Sequence, residues 1–217
     1  MQKVVNIFKM FATRLTAKRD NGPISTVAEM QRFVSTRASF VSQKKLYGYL
    51  KTRIGTQYPK MFKDELFIKS INIAKYYVFA ACVSDLTIYA VAHVFKDKAA
   101  DDADLRAVAM RCFESAMADN AAGMPEEFVS AEAIAVFGDR LGDTAWATEA
   151  LKSENFTLSP KELVKWAPIA PRLKKFDSEI VENSIRFAWL DIRERYLKQL
   201  DDGAVYGDWA DHRQSAA

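Results

Sequence analysis

Ser84, Asp85 and His93 are the residue types of hydrolytic chemistry: a hydroxyl to attack, an acid to orient, an imidazole to take the proton. Their spacing works against that use. All three fall in one apolar stretch that reads as a helix, and eight residues separate Asp85 from His93. Eight helical residues are about two turns, or about 12 Å, too far for a direct hydrogen bond within that helix. The Gly-x-Ser-x-Gly elbow is absent, and so is a strand that would present it. The expectation is three polar residues satisfying one another or their neighbours.

Metal and phosphate chemistry find less to work with. The chain has two histidines, His93 and His212, and no Glu-x-x-His, His-Glu-x-x-His or Cys-x-x-Cys. Gly138 and Gly142 flank acids, which would repel a phosphate. No Walker or dinucleotide fingerprint occurs, so no metal and no cofactor is expected. Cys82 and Cys112 sit in apolar helical patterns and read as small core residues of a reducing compartment.

Asp85 is the most pointed single residue, because a carboxylate inside an apolar run is costly unless paired. Arg37, Lys44 or Lys45 is the expected partner, in an ion pair that fixes helix register. The competing reading makes Asp85 the polar point of an apolar ligand cavity beside Tyr76, Tyr77, Ser84 and His93.

The elements that must position these residues are helical. Of 217 residues, 49% are hydrophobic and 27% charged, with only eight Gly and six Pro, as in a soluble domain of long helices. The spacing predicts a basic amphipathic helix over residues 3–18, with Val4, Ile7, Phe8, Phe11 and Leu15 on one face. Asn21-Gly22-Pro23 breaks it. Thr26 and Glu29 form a capping box that opens a second helix running to about Ile54. A third covers 64–96. Its stretch Tyr76–Phe95 is apolar on every side and about the length of a membrane span, but Asp85 near its middle favours a buried core helix.

Further helices are expected at Leu105–Asp119, from Pro125 with a break or kink between Gly138 and Asp143, from Ser159, and over about Lys174–Leu200. Gly203 onward reads as a polar tail. The predicted fold is therefore all-α, a bundle of six to eight helices around a central apolar one. Residues 1–19 form the N-terminal helix, 24–200 a single helical domain, and 201–217 the tail.

Charge divides the chain more sharply than any motif does. Residues 1–63 carry thirteen Lys and Arg against two acids, a net of +11, while residues 64–217 carry a net of −8. A basic third on an acidic remainder points to an anionic partner or to the two parts embracing. The candidate contacts are Lys3, Lys9, Arg14, Lys18, Arg19, Arg37, Lys44, Lys45, Lys51 and Arg53. For residues 3–18 three readings stay open: an interfacial membrane helix, a transit peptide, or a helix docked on an acidic part of the same protein. The stripe Phe33, Arg37, Phe40, Lys44, Tyr47, Lys51 and Ile54 could stack bases, lie on a membrane, or form a core edge under basic stems. No nucleic-acid-binding signature accompanies it, so nucleic acid is the minority reading.

The segment Phe33–Asp85 also carries a resemblance. Phe40-Val41-Ser42-Gln43-Lys44-Lys45-Leu46-Tyr47-Gly48-Tyr49-Leu50-Lys51-Thr52-Arg53, Tyr58-Pro59, Ser70-Ile71-Asn72-Ile73-Ala74-Lys75 and Ser84-Asp85-Leu86 resemble a group of uncharacterised bacterial proteins. Some of its members are labelled esterases. The resemblance covers about a quarter of the chain. It includes no catalytic motif, implies no established activity and carries no functional residue across.

Two functions follow as expectations. The leading one is a non-enzymatic helical interaction protein, cytoplasmic and peripheral on the inner membrane, binding an acidic partner or an anionic membrane surface through residues 1–63. The alternative is an apolar-ligand or lipid-handling bundle with esterase-like hydrolysis. A large closed cavity beside Asp85 would favour the second, and a solid core with an outward basic face the first.

Overall fold

The computed structural model describes residues 22–215. The predicted helix over 3–18, with Lys3, Lys9, Arg14, Lys18 and Arg19, lies outside the described residues. In chain order the helices are α1 Val27–Ile54, α2 Tyr58–Met61, α3 Glu65–Phe95, α4 Asp102–Asp119, α5 Ser130–Gly142, α6 Leu158–Trp166, α7 Pro171–Lys174, α8 Ser178–Gln199 and α9 Asp202–Ser215. Seven of these exceed two turns, α2 and α7 are single turns, and no strand occurs among the described residues. The protein is an all-α bundle, as its periodicity predicts.

Three of the long helices, α1, α3 and α4, begin where side chains satisfy the free amides of a first turn. Thr26 and Glu29 form the reciprocal capping box of α1. The Asp64 side chain accepts from Leu66 and Phe67 at the start of α3, and Asp101 with Asp104 boxes α4. Each sits before an apolar run, so local chemistry and burial agree on the boundary.

α3 is the axis of the bundle. It packs against α1, α4, α5, α6 and α9, which is why its sequence is apolar on all sides. It is long and apolar enough to cross a membrane, yet 94% of its most apolar window is buried inside the protein. α1 and α8 run antiparallel on one flank. Lys45 meets Ser184, the Phe33 ring lies 5.3 Å from that of Tyr196, and Ile24 bridges Leu200.

Two boundaries differ from expectation. Pro125 does not open a helix: Pro125–Glu127 form a turn, and α5 begins at Ser130 and runs unbroken through Gly138 to Gly142. The turn aims Phe128 into the core against Tyr76 and Tyr77, so tertiary packing overrides the helix-start signal. The residues from Gly203 are not a polar tail either. They form α9, which buries Val205 and Trp209, and Trp209 meets Phe95 edge to face at 5.0 Å. Asp208 of α9 accepts from the Val27 amide at 2.9 Å, and Asp202 pairs with Lys98 at 2.9 Å. The polar residues that suggest a tail are those that fasten it.

Candidate functional site

Asp85 is 2% exposed and stands at the centre of the described polar interior. Its partner is not Arg37, Lys44 or Lys45 on α1. It is Arg140, in the last turn of α5, whose Nη1 lies 2.8 Å from Asp85 Oδ1. The same Nη1 donates to Ser84 Oγ at 2.7 Å, and Nη2 donates to the Asn155 carbonyl at 3.0 Å. The sequence hides this pairing because Arg140 lies beside Asp139 and between Gly138 and Gly142, in a stretch that reads as a break.

Asp85 also serves a helix that is not its own. The first turn of α6 leaves free amides, and its cap residue Thr157 makes no side-chain cap bond. Leu158 N donates to Asp85 Oδ1 at 3.3 Å and Ser159 N to Oδ2 at 2.8 Å. All of these partners are donors, which favours the carboxylate form. Burial pushes the Asp85 carboxyl above its ordinary range, an effect that Arg140 and the Ser159 contacts oppose without cancelling. The chain of contacts continues outward, since Ser159 Oγ accepts from Trp189 Nε1 at 2.9 Å.

This arrangement holds helices together and leaves no catalytic geometry around Ser84. The Ser84 hydroxyl is buried and engaged by Arg140. His93 packs against Tyr89 at 4.4 Å between ring centres, and burial holds its ring below the usual imidazole range. Ser84, Asp85 and His93 are therefore not brought together as a triad. Burial likewise pushes the Cys112 thiol up to about 12, and Cys82 well above the usual range. Both are inert as nucleophiles near neutral pH. Among the described residues no group of three or more His, Cys, Asp or Glu is placed to hold a metal ion.

Of the residues proposed for an apolar cavity, Tyr77 and Ser84 line a cleft among the described residues. It is an open cleft of about 200 Å³ against α3, walled by Ala80, Ala81, Val129 and Val136. Ligand pockets commonly run from about 300 to 1,000 Å³, so this one is small. Tyr76 is buried with its hydroxyl on the Asn120 carbonyl. Tyr77 stacks flat on Trp166 at 3.6 Å and donates to the Glu127 carbonyl.

No family model, no curated protein and no solved structure matches the chain.

The basic residues of α1 divide into two sets. Arg37 lies over the Phe33 ring at 5.4 Å, Lys44 over the exposed Phe40 ring at 5.1 Å, and Lys51 is exposed. Lys45 and Arg53 turn toward α8. Lys45 Nζ donates to Ser184 Oγ at 3.1 Å, and Arg53 pairs with Asp177 at 2.8 Å while donating to the Leu173 carbonyl at 3.1 Å. Tyr49 donates to the same Asp177, which with burial pushes its hydroxyl up.

Arg53 thus fastens α7 to the end of α1 and gathers a basic tip. In the run Arg172-Leu173-Lys174-Lys175-Phe176, Leu173 and Phe176 are exposed, Phe176 by 76%, and Lys175 lies over the Phe176 ring at 6.0 Å. Lys174 Nζ donates to the Lys165 carbonyl at 2.7 Å, and Lys51 is exposed on α1 two residues before Arg53. Asp177, the nearest acid in sequence, is already taken by Arg53 and Tyr49. Sequence reasoning missed the Arg172–Phe176 half of this tip. Its signal, the run Arg172-Leu173-Lys174-Lys175-Phe176 with no acid, was present.

Proposed function

We propose that this chain is a non-enzymatic interaction protein of the cytoplasm that docks peripherally on an anionic membrane surface. The observation that carries the reading is the basic tip, where exposed Leu173 and Phe176 stand in the acid-free run Arg172–Phe176, with Lys175 over the Phe176 ring and Arg53 on the Leu173 carbonyl. An exposed aromatic ring gains by entering the acyl boundary, and each Lys or Arg near such a surface contributes about 1 kcal/mol. A membrane fits the reading because the tip offers two exposed apolar side chains, Leu173 and Phe176, to insert beside its cations.

The ligand-handling alternative, with its esterase-like chemistry, draws less support. It needs a sizeable cavity beside Asp85, and Asp85 is enclosed by Arg140, Ser159 and the α6 amides. The cleft at Ser84 is small, and the hydroxyl there is held by a cation rather than a base.

Co-sedimentation of the full chain with vesicles tests the reading. Binding to phosphatidylcholine vesicles containing phosphatidylglycerol is expected to exceed binding to phosphatidylcholine alone, and to weaken with salt. Equal binding to both refutes it. Retention of an acidic protein by a chain that ignores anionic vesicles would move the assignment to a protein partner.

A further inference from the structure

α8 buries Val181, Ile185, Trp189, Ile192 and Tyr196 in the bundle. Its outer side carries Ile180, Phe187, Leu190 and Leu197, each between 46% and 72% exposed. Asn183 and Glu194, also exposed, fall between them. These six positions follow one another at intervals of three, four, three, four and three residues, which is one seam along a helix. Beside the middle of the seam lies an open groove of about 560 Å³, lined by Asn183, Phe187, Leu190 and Arg193 and, from outside α8, by Phe156. A seam of this spacing, apolar and open to water, is what one helix offers to another.

The seam has a symmetry that identifies the other helix. Ile180 and Leu197 stand equally far from the midpoint between Ala188 and Trp189. Phe187 and Leu190 do so too, and so do Asn183 and Glu194. A second copy of α8, laid antiparallel about a two-fold axis at that midpoint, therefore meets the first like with like. Ile180 comes against the partner's Leu197, and Phe187 against the partner's Leu190. Apolar residues face apolar residues at four levels over about 25 Å of helix. The groove, lined from Asn183 to Arg193, is centred on the same midpoint.

The polar positions agree with this pairing. Asn183 comes against the partner's Glu194. Asn183 Oδ1 accepts from Arg186 Nη1 at 3.1 Å, which leaves its amide hydrogens to donate. Glu194 has neither an ion pair nor a hydrogen bond among the described residues. A parallel pairing would instead set the two Glu194 carboxylates face to face in the seam, and like charges so placed repel. One polar layer within an apolar seam fixes register and orientation. Arg193, over the Phe156 ring at 5.4 Å, has no ion-pair partner among the described residues either. In the antiparallel pair it comes, on the same flank, within about 3 Å of the level of the partner's Glu182. Glu182 is held toward that flank by Arg186 at 3.0 Å.

We infer that the outer face of α8 is the contact between two copies of this chain, paired antiparallel about a two-fold axis at Ala188–Trp189. Phe187 and Leu190 lie nearest the axis, so both copies of each meet there and anchor the contact. The pairing rests on α8 alone and is independent of the membrane reading, whose apolar residues, Leu173 and Phe176, precede that helix.

Sedimentation velocity of the full chain in the micromolar range tests the contact, and a dimer is expected. Phe187→Glu, at a position 70% exposed, should leave the far-UV circular dichroism unchanged. It should weaken the dimer by about thirty-fold or more, because it sets a charge against the partner's Leu190 at the centre of the interface. A chain that stays monomeric would leave the seam to another occupant and overturn the inference. A dimer that Phe187→Glu does not weaken would lie on another surface and overturn it too. Cross-linking reads the orientation. Ile180→Cys and Leu197→Cys are made in separate full chains, in which the native Cys82 and Cys112 are buried. Mild oxidation of the mixture is expected to join one variant to the other at least about ten-fold faster than either variant joins itself, because like positions lie about 25 Å apart in the antiparallel pair. Self-joining of Ile180→Cys at the rate of the mixture would refute the antiparallel pairing.

Discussion

Asp85 on the central helix and Arg140 at the end of α5 lie 2.8 Å apart, and each also binds a segment that neither belongs to. Asp85 accepts from the first amides of α6, and Arg140 holds the Asn155 carbonyl just before it. The pair therefore clamps the 155–159 connection between two helices. Removing one partner leaves a buried charge alone, at a cost of about 3–5 kcal/mol. Asp85→Ala is expected to lose about that much, since it strands Arg140 and two amides. Arg140→Met is expected to cost a similar amount. The double variant should lose clearly less than the sum, because neither charge remains to be stranded. Urea denaturation of the four proteins measures this. Additive losses would show that the two residues act separately.

His93 gives the pH dependence a sign. Burial holds its ring below the ordinary imidazole range, with a smaller contribution from Lys96 in the same direction. The fold therefore favours the neutral ring, and the unfolded chain takes up a proton first as the pH falls. The stability tied to His93 is complete above the unfolded value of about 6.5. It declines as the pH drops below that value and stops declining below the folded value. His93→Gln is expected to flatten this part of the stability profile relative to the parent. Parallel profiles between pH 7 and pH 5 would contradict it.

The long helices were legible in the sequence because caps and apolar periodicity coincide there. Thr26 with Glu29 marks the start of α1, and the uninterrupted apolar run of α3 announces the axis of the bundle. The burial of Asp85 was legible for the same reason. Its partner was not, because pairing with Arg140 depends on how α5 and the 155–159 connection fold back over α3, at a separation of 55 residues. Periodicity describes one helix at a time and says nothing of which helix end meets which face. The C-terminal helix was obscured by its composition. Gly203, Gly207 and several aspartates mask the pair Val205 and Trp209, four residues apart, which was the visible sign of a packed face.

That packed face yields a third expectation. Trp209 is buried against Phe95 and Tyr206, with Arg213 over its ring at 5.3 Å. Trp209→Ala should cost about 3–5 kcal/mol, as for other large aromatic truncations in a core. The loss should come with release of α9. The cap that Asp208 gives to α1 would then be lost as well. Hydrogen exchange should show faster exchange at the α1 N-terminus as well as in α9. Protection unchanged at Val27–Met30 would show that α9 is not coupled to the start of α1.

At the basic tip, apolar and charged contributions should separate cleanly. Phe176 is 76% exposed, so Phe176→Ser removes almost no folded-state packing and should leave the melting temperature within about a degree or two. Vesicle affinity should nevertheless fall by about ten-fold or more, because a ring that enters the acyl boundary contributes about 1.5–3 kcal/mol when fully buried. The salt dependence should stay, since the cations are untouched. Lys175→Gln with Arg172→Gln should do the reverse. It should weaken binding to anionic vesicles by about 1 kcal/mol for each charge removed and flatten the salt dependence, while residual binding to neutral vesicles stays as it was. Titration of each variant against anionic and neutral vesicles at two salt concentrations distinguishes the two effects. If Phe176→Ser and the charge variant change affinity and salt dependence alike, insertion of the ring is not part of the contact, and the tip is an electrostatic patch alone.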